Sequence, residues 1–338
     1  MRYALYRSNT RGLLKQLQQL GAKLRKGDTR ANLRMLDEMY LNSALSSGQT
    51  PEEAVISVTG RILLRERLWI SEGQRRTVFL DTPELVNNLL LARFSHEGLP
   101  CPDTPQTFAL ALPEGLSHGG VPLMPCLVTI GRAIDIADQQ TQMANHIWKI
   151  EGESGTEIDP QALSIMLSMP GLDEQGRPEA SYLSLFVGGD LIAGLLDADL
   201  GDDIESVIPA LSRRISLDVS AHERRLQIIM SRLALALWIY WSAVPEAIVE
   251  GAPKGTQDGD APALGRMTAL QASNFFSATS RPGASPAEHQ RRWHFRQLRH
   301  EKFYQGAYAG LPRGSRWVPV SAAWVNREDG DDLTATQA

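Results

Sequence analysis

Residues 221–243 read AHERRLQIIMSRLALALWIYWSA. Apolar residues recur every three or four positions, which is the spacing of one helix face. These core-spaced positions are Leu226, Ile229, Met230, Leu233, Leu237 and Tyr240. Pro245 follows, and it lacks the backbone N–H needed to continue a helix. The stretch therefore predicts a buried core helix, and its most apolar part, Leu233–Val244, is shorter than the ~20 residues of a membrane span.

The N-terminal region, residues 1–98, is predicted to be helical. Leucines between Asn9 and Arg25 follow i, i+3/i+4 spacing, and Asp28 is placed to cap a second helix. Thr50 and Thr82 each precede Pro-Glu, a favourable helix start with a cap residue and proline in the first turn. We expect these helices to run to about residue 70 and to Phe94.

Residues 99–250 are predicted to form a central sheet with flanking helices. Short β-prone runs separated by turn residues occur at Thr107–Leu112, Leu127–Ile136 and Tyr182–Val187. Leu163–Met169 is too short for periodicity to distinguish strand from helix. Helices are predicted at Leu191–Leu196 and Asp203–Ile215.

The last third of the chain divides by composition. Residues 251–287 contain two stretches rich in Gly, Pro and small residues and are predicted to be a linker. Residues 288–327 are dense in arginine, histidine and aromatic residues and are predicted to be a small basic module. Residues 328–338 are polar and predicted to be a disordered tail. The predicted fold class is α+β, with N-terminal helices, a central antiparallel or mixed sheet with flanking helices, and this C-terminal module.

Composition indicates a cytoplasmic protein with no membrane partner. The N-terminus has no apolar segment typical of a secretory signal. Two cysteines, Cys101 and Cys126, are too few for a disulfide framework, and we expect both to be inert, buried thiols. The net charge is −5, with basic residues concentrated in 2–34 and acids near 190–205. This asymmetry fits either polyanion contact at the basic end or packing of the two regions against each other.

No cofactor or metal is predicted. The chain has no GxGxxG, GxxxxGK[ST] or GxSxG motif and no plausible triad spacing. The acidic run Asp197–Asp203 departs from the glycine and glutamate positions of a calcium-binding EF-hand loop. His294 and His300 are six residues apart, not the four of a helical zinc pair. Common nucleotide-binding and hydrolase templates are therefore excluded.

The densest basic and aromatic stretch is Arg291–Asn326, RRWHFRQLRHEKFYQGAYAGLPRGSRWVPVSAAWVN. Arginine presents a planar fork to carboxylate or phosphate, and aromatic rings stack on bases or pack on peptides. A metal-free ribonuclease needs a general acid, a general base and a cation, for which His294, His300 and Arg296 are the residue types available. A third interpretation is a small subdomain whose aromatics form its own core. The sequence favours binding over catalysis and leaves all three open.

From Leu99 to Asn326, ordered landmarks give the chain a family resemblance. They are Pro102-Asp103-Thr104-Pro105, Leu112-Pro113-Glu114, Ala243-Val244-Pro245-Glu246, His294-Phe295-Arg296, Tyr304-Gln305-Gly306, Arg316-Trp317, Pro319 and Val325-Asn326. In this order the chain resembles the type V-A anti-CRISPR family whose representative suppresses production of the type V-A CRISPR effector nuclease. It departs where the family carries Arg-Arg-Gly-His-Trp, because residues 296–300 read RQLRH. Two extra residues also lie between Trp317 and Val325.

The resemblance implies a protein of a mobile genetic element, a phage or a plasmid, that evades host defence. Such a protein binds a segment of a host polypeptide, such as a nascent CRISPR effector, and lowers its production. We hypothesise that an aromatic-lined groove holds that segment. RNA or the ribosome is the alternative partner. The predicted partner-binding residues are Trp293, His294, Phe295, Arg296, Arg299, Phe303, Tyr304, Gln305, Arg316 and Trp317.

Overall fold

A computed structural model describes residues 1–23, 25, 28–50, 58–71, 75–94, 99–136, 159–172, 178–188, 190–197, 220–259, 264–274, 289–291, 294–320 and 323–325. Its helices are α1 (Asn9–Gln19), α2 (Thr29–Ser46), α3 (Val58–Ser71), α4 (Pro83–Leu91), α5 (Asp190–Asp197) and α6 (Ala221–Ala243). Its strands are β1 (Tyr3–Ala4), β2 (Arg75–Leu80), β3 (Gln106–Pro113), β4 (Ser117–His118), β5 (Val121–Pro122), β6 (Cys126–Arg132), β7 (Leu163–Leu172), β8 (Pro178–Gly188), β9 (Ile248–Glu250), β10 (Met267–Ala272), β11 (His289–Arg291), β12 (His294–Leu298), β13 (Arg316–Val320) and β14 (Ala323–Val325).

One mixed sheet organises the described chain, in the order β8-β7-β6-β3-β2-β10-β9, with β1 added beside β3. β2 runs parallel to both β3 and β10, and the pairs on the β6–β8 side are antiparallel. The predicted α+β class, with a mixed sheet and flanking helices, is confirmed. Leu163–Met169, which periodicity did not decide, is part of strand β7.

Helices cover both faces of the sheet. Successive strand residues point to opposite sides, so one strand contributes to the core on each face. In β6, Val128 and Ile130 join a core shared with α4, α5 and α6. Leu127 joins the opposite core, which contains Leu14 of α1 and Trp69 of α3. The sheet is therefore the middle layer of three, and its central strands β3 and β6 are buried on both sides.

The predicted core helix is α6. Ser220 and Glu223 form a reciprocal capping box at its start, which satisfies backbone N–H groups that lack intrahelical partners. Val244 follows as the C-cap residue, and Pro245 starts a short 3-10 helix. Among the described helices, only α6 passes a length-and-composition test for a membrane span, and 78% of its most apolar window is buried inside the protein.

Glu66 of α3 ties the N-terminal segment to the rest of the fold. It is fully buried and accepts hydrogen bonds from the Tyr6 hydroxyl at 2.7 Å and the Ser8 hydroxyl at 2.8 Å. It also accepts from the backbone N–H groups of Asn9 and Thr10, at 2.7 and 2.6 Å. A carboxylate is favourable there because the first turn of a helix carries unsatisfied donors and the positive end of the helix dipole.

The predicted domain boundaries do not coincide with the sheet. β10 lies inside the predicted linker 251–287, yet it pairs with β2 and β9 in the main sheet. Most of its side chains are half-buried, so the run lacks the strong apolar signal of a core strand. Arg75 forms an ion pair with Asp258 and donates to the Gly265 carbonyl oxygen at 2.8 Å, which holds the glycine-rich segment against the sheet. The linker prediction is therefore wrong for Met267–Ala272.

The N-terminal region is also less purely helical than predicted, because β1 and β2 belong to the sheet. β2 is only six residues long and begins shortly after α3 ends, so its sequence RRTVFL gives a weak strand signal. Several predictions lie outside the described residues: the helix at Asp203–Ile215, most of the acidic run Asp197–Asp203, the second glycine- and proline-rich stretch of the predicted linker (280–287) and the tail 328–338.

Candidate functional site

The residues predicted to bind a partner meet on one antiparallel hairpin, His294–Val320, which we call the C-terminal hairpin. β12 and β13 pair from His294 opposite Val320 to Leu298 opposite Arg316. The hairpin docks beside α4, where the Phe295 backbone N–H donates to the Arg93 carbonyl oxygen at 3.0 Å. Nine of the ten predicted residues lie on this hairpin, and Trp293 lies outside the described residues.

One side of the C-terminal hairpin is part of the protein core. The side chains of Phe295 and Trp317 are buried in the core shared with α4, α5 and α6, whereas Leu298 and Tyr304 are buried outside both cores. The Phe295 ring stacks on Phe94 with centroids 5.0 Å apart and meets the Tyr240 ring edge-on at 6.2 Å. Such aromatic pairs contribute about 0.5–1.5 kcal/mol beyond the area they bury. These rings anchor the hairpin and do not line an open groove.

Arg232 of α6 completes this anchor from inside the core. Its guanidinium carbon lies 4.8 Å from the centroid of the Phe94 ring, and the group donates to the carbonyl oxygens of Ala92 and Leu195. A buried cation is tolerated when carbonyl oxygens and an aromatic face replace its water. Arg232 therefore joins α4, α5 and α6 at the point where the hairpin docks.

Tyr304 organises the loop between the two strands. Its hydroxyl donates to the Leu298 carbonyl oxygen at 2.5 Å and accepts from the backbone N–H groups of Gly314 and Arg316, at 2.7 and 3.2 Å. The Gln297 side-chain amide donates to the Gly314 carbonyl oxygen at 2.7 Å. Gly314 has φ of +87°, a conformation that other residues rarely adopt. The loop thus has a defined backbone.

The other side of the C-terminal hairpin is exposed to solvent and positively charged. Arg296, Arg299, His300, Lys302 and Arg313 are exposed, together with Gln305, while Phe303 and Arg316 are half-buried. The hairpin carries five Lys or Arg side chains and one acidic side chain, a formal charge of +4, in a chain whose net charge is −5. An excess of one sign on an exposed surface attracts partners of the opposite sign.

The ribonuclease alternative requires two groups that flank one phosphate. His294 begins β12, and His300 follows the end of that strand. The strand spans about 13 Å from residue 294 to residue 298 at ~3.3 Å per residue. A general acid and base must each lie within hydrogen-bond reach of the same substrate. His300 instead caps the short helix Glu301–Phe303, with Nδ1 accepting from the Lys302 N–H at 3.2 Å.

A cavity of about 290 Å³ opens beside β7 and α5, lined in part by Leu99, Cys101, Gln161, Leu163 and Ile192. Cys101 is exposed, so the prediction that both cysteines are buried is wrong for this one. It precedes β3 in a proline-rich connection, outside the sheet. Partial burial is the main cause that raises the pKa of its thiol.

Cys126, at the start of β6, is buried as predicted, and burial raises the pKa of its thiol to about 12. A thiol that stays protonated is a poor nucleophile. Cys126 is therefore an inert part of the core.

The carboxyl ends of the parallel strands β2 and β10 were not singled out from the sequence. Sheets with parallel strands often bind ligands at such an edge. Here the backbone N–H of Asn274 donates to Asp81 Oδ2 at 3.3 Å, and the Tyr3 hydroxyl donates to the Asp81 carbonyl oxygen at 3.0 Å. Burial, and then the charge of Asp81, raise the pKa of Tyr3. Among the described residues, no group of three metal-ligating side chains occurs here or elsewhere.

The strongest candidate site is therefore the outer side of the C-terminal hairpin. No protein-family model, curated protein or solved structure matches the chain.

Proposed function

We propose that the protein is a non-catalytic binding protein that uses the outer side of the C-terminal hairpin to bind a segment of a host polypeptide. The single observation that carries the proposal is the formal charge of +4 on a hairpin whose loop is held by the Tyr304 hydroxyl. The resemblance to the type V-A anti-CRISPR family supports the choice of partner. The protein would then act in the cytoplasm, on behalf of a mobile genetic element, to lower production of a CRISPR effector.

A loop that is ordered before binding favours this use. Ordering a flexible loop on association costs conformational entropy, and a preformed loop avoids much of that cost. Exposed arginines on such a loop present planar forks to carboxylates. Phe295, Tyr304 and Trp317 then act by holding the hairpin, while Arg296, Lys302 and Arg313 face the partner.

The test is affinity capture from the native host with ribosome-bound fractions retained. The wild type is compared with Lys302→Glu/Arg313→Glu, which reverses two exposed charges of the hairpin. The matched control is Lys15→Glu/Arg34→Glu, which makes the same change at exposed positions on α1 and α2. We expect a captured polypeptide that is lost with the hairpin variant and kept with the control. Equal capture by all three proteins would contradict the proposal.

RNA binding is the second candidate, because the same excess of cations over acids fits a phosphate backbone. Phosphate contacts make affinity fall steeply with salt, with a slope set by the number of phosphates neutralised. A salt titration with labelled single-stranded RNA separates the two functions. Undetectable RNA binding at low salt would exclude this candidate. RNA cleavage that is lost in His294→Ala and His300→Ala would instead establish the ribonuclease alternative.

A further inference from the structure

Two apolar side chains are exposed together at the tip of the C-terminal hairpin. Tyr308 and Leu311 each expose 46% of their surface. The Leu311 backbone N–H donates to the Tyr308 carbonyl oxygen at 3.1 Å, so one turn carries both side chains. Exposed apolar side chains on a cationic loop gain free energy only when a partner covers them.

The Tyr308 ring is held in place by its neighbours. The Arg316 guanidinium carbon lies 3.4 Å from the centroid of the Tyr308 ring, and Arg316 Nη1 donates to the Phe303 carbonyl oxygen. A tyrosine that is already immobilised loses little side-chain entropy when a partner packs on it. Tyrosine and arginine are also the residues most enriched among interface positions that dominate affinity.

Further cations occur on the same loop as this apolar pair. Lys302 Nζ lies 5.0 Å from the centroid of the Phe303 ring, and the backbone carbonyl oxygen of Phe303 accepts a hydrogen bond from Arg316. Arg313, two residues after Leu311, pairs with Glu301 at 2.9 Å, with both side chains more than half exposed. Such an exposed ion pair contributes little stability, so a partner carboxylate can replace Glu301 at small cost.

We propose that the tip of the C-terminal hairpin is a docking site for an acidic peptide segment that carries one apolar anchor residue. The anchor packs on Tyr308 and Leu311, and neighbouring carboxylates of the peptide pair with Lys302 and Arg313. This inference rests on the proposed function and names the chemistry of the partner segment. An aliphatic side chain such as Leu311 suits an apolar anchor better than a nucleic-acid base, because a base binds by stacking on a planar group.

The test uses the full chain and a random-peptide phage library. We expect the wild type to enrich peptides in which a leucine, isoleucine or aromatic residue is flanked by aspartate and glutamate. A synthetic peptide of the enriched sequence is then measured by fluorescence anisotropy, beside a version with the anchor replaced by serine. Tyr308→Ala and Leu311→Ser should each weaken the anchored peptide by at least about tenfold. They should leave the weaker binding of the serine version unchanged.

The matched control is Leu20→Ser, which removes a leucine that exposes 81% of its surface in the N-terminal region. Its affinity for both peptides should equal that of the wild type. Circular dichroism of each variant verifies that the fold is intact, because both tip residues are exposed and their loss should leave it unchanged.

The remaining outcomes separate this inference from the proposed function. If Lys302→Glu/Arg313→Glu abolishes binding but Tyr308→Ala and Leu311→Ser do not weaken it, the surface binds by charge alone and the anchor inference is overturned. Enrichment of basic or uncharged peptides, or of none, would overturn the inference, and the capture experiment would then decide the proposed function. Preferential binding of single-stranded RNA that ignores both tip variants would overturn the inference in favour of the RNA candidate.

Discussion

The two sides of the C-terminal hairpin come from one stretch rich in aromatic and basic residues but differ in what they expose. The inner side places Phe295 and Trp317 in the core shared with α4 and α6, whereas the outer side exposes Arg296, Lys302 and Arg313 to water. Trp317 and Arg316 are neighbours in β13, yet one is buried and the other lies over Tyr308 at the surface. The difference shows that residue types suited to binding can be divided between holding a surface in place and forming it.

The largest effect on stability is expected on the inner side. Trp317→Ala should lower the free energy of unfolding by about 3–5 kcal/mol, because it removes a large buried ring and leaves a cavity. Chemical denaturation of the variant and the wild type measures this difference in the free energy of unfolding. Tyr308→Ala, at an exposed aromatic position of the same hairpin, should change stability by less than about 1 kcal/mol. Equal losses in the two variants would remove the distinction between the sides.

A smaller loss is expected where the two sides are joined. Tyr304→Phe keeps the ring but removes the hydroxyl that bonds Leu298, Gly314 and Arg316. Leaving buried backbone groups without a partner should cost about 1–3 kcal/mol. Hydrogen exchange should accelerate at the Gly314 and Arg316 amides in particular. Unchanged exchange at both amides would show that the hydroxyl does not order the loop.

The two cysteines offer the same contrast elsewhere in the molecule. A thiol reagent should label Cys101 alone in the native protein, because Cys126 is buried and its pKa is raised to about 12. The rate of Cys101 labelling should continue to rise at pH values above the ordinary pKa of a free thiol, because partial burial raises the pKa of Cys101. Mass spectrometry counts the labels, and Cys101→Ser should abolish native labelling. Native labelling of Cys126 would contradict the buried placement.

The same pKa shift predicts a loss of stability in alkali. Because the pKa of Cys126 is raised in the folded state, its contribution is fully present below the unfolded pKa, near 8.5, and is lost as pH rises toward about 12. Cys126→Ala should therefore lose less stability than the wild type between about pH 9 and pH 12. Denaturant titrations of both proteins across that window measure the difference. Parallel curves would place the thiol in a more polar setting.

The smallest effect on stability is expected on the outer side. Arg313→Gln removes a cation whose ion pair with Glu301 is exposed at both ends. It should change the free energy of unfolding by no more than about 0.5 kcal/mol. Peptide binding measured in parallel should weaken, so affinity and stability respond to opposite sides of the hairpin. A loss of stability as large as that of Trp317→Ala would show that Arg313 stabilises the fold like the buried residues of the inner side.

Strong local signals predicted much of the fold. α6 was predicted from helical spacing and its terminating proline, and α4 from Thr82 followed by Pro83. Weak signals failed: β10 lies between two glycine- and proline-rich stretches and was included in the predicted linker, and its pairing with β2 shows that it is a strand of the main sheet. At the candidate site, the sequence predicted the residue types but not which side of the C-terminal hairpin each residue would occupy. Packing against α4 and α6 decides which rings are covered. Tyr308 and Leu311 were not among the predicted binding residues, since only their exposure distinguishes them.

The amino-acid sequence by itself determined the α+β class, the core helix and the concentration of cations in residues 294–320, because these depend on local periodicity, capping and composition. Only the tertiary structure decided which side of the C-terminal hairpin is buried and which is exposed. That choice depends on contacts between residues far apart in the chain, such as Phe94 with Phe295 and Arg232 with the Ala92 carbonyl oxygen. No pattern within a short window records such contacts.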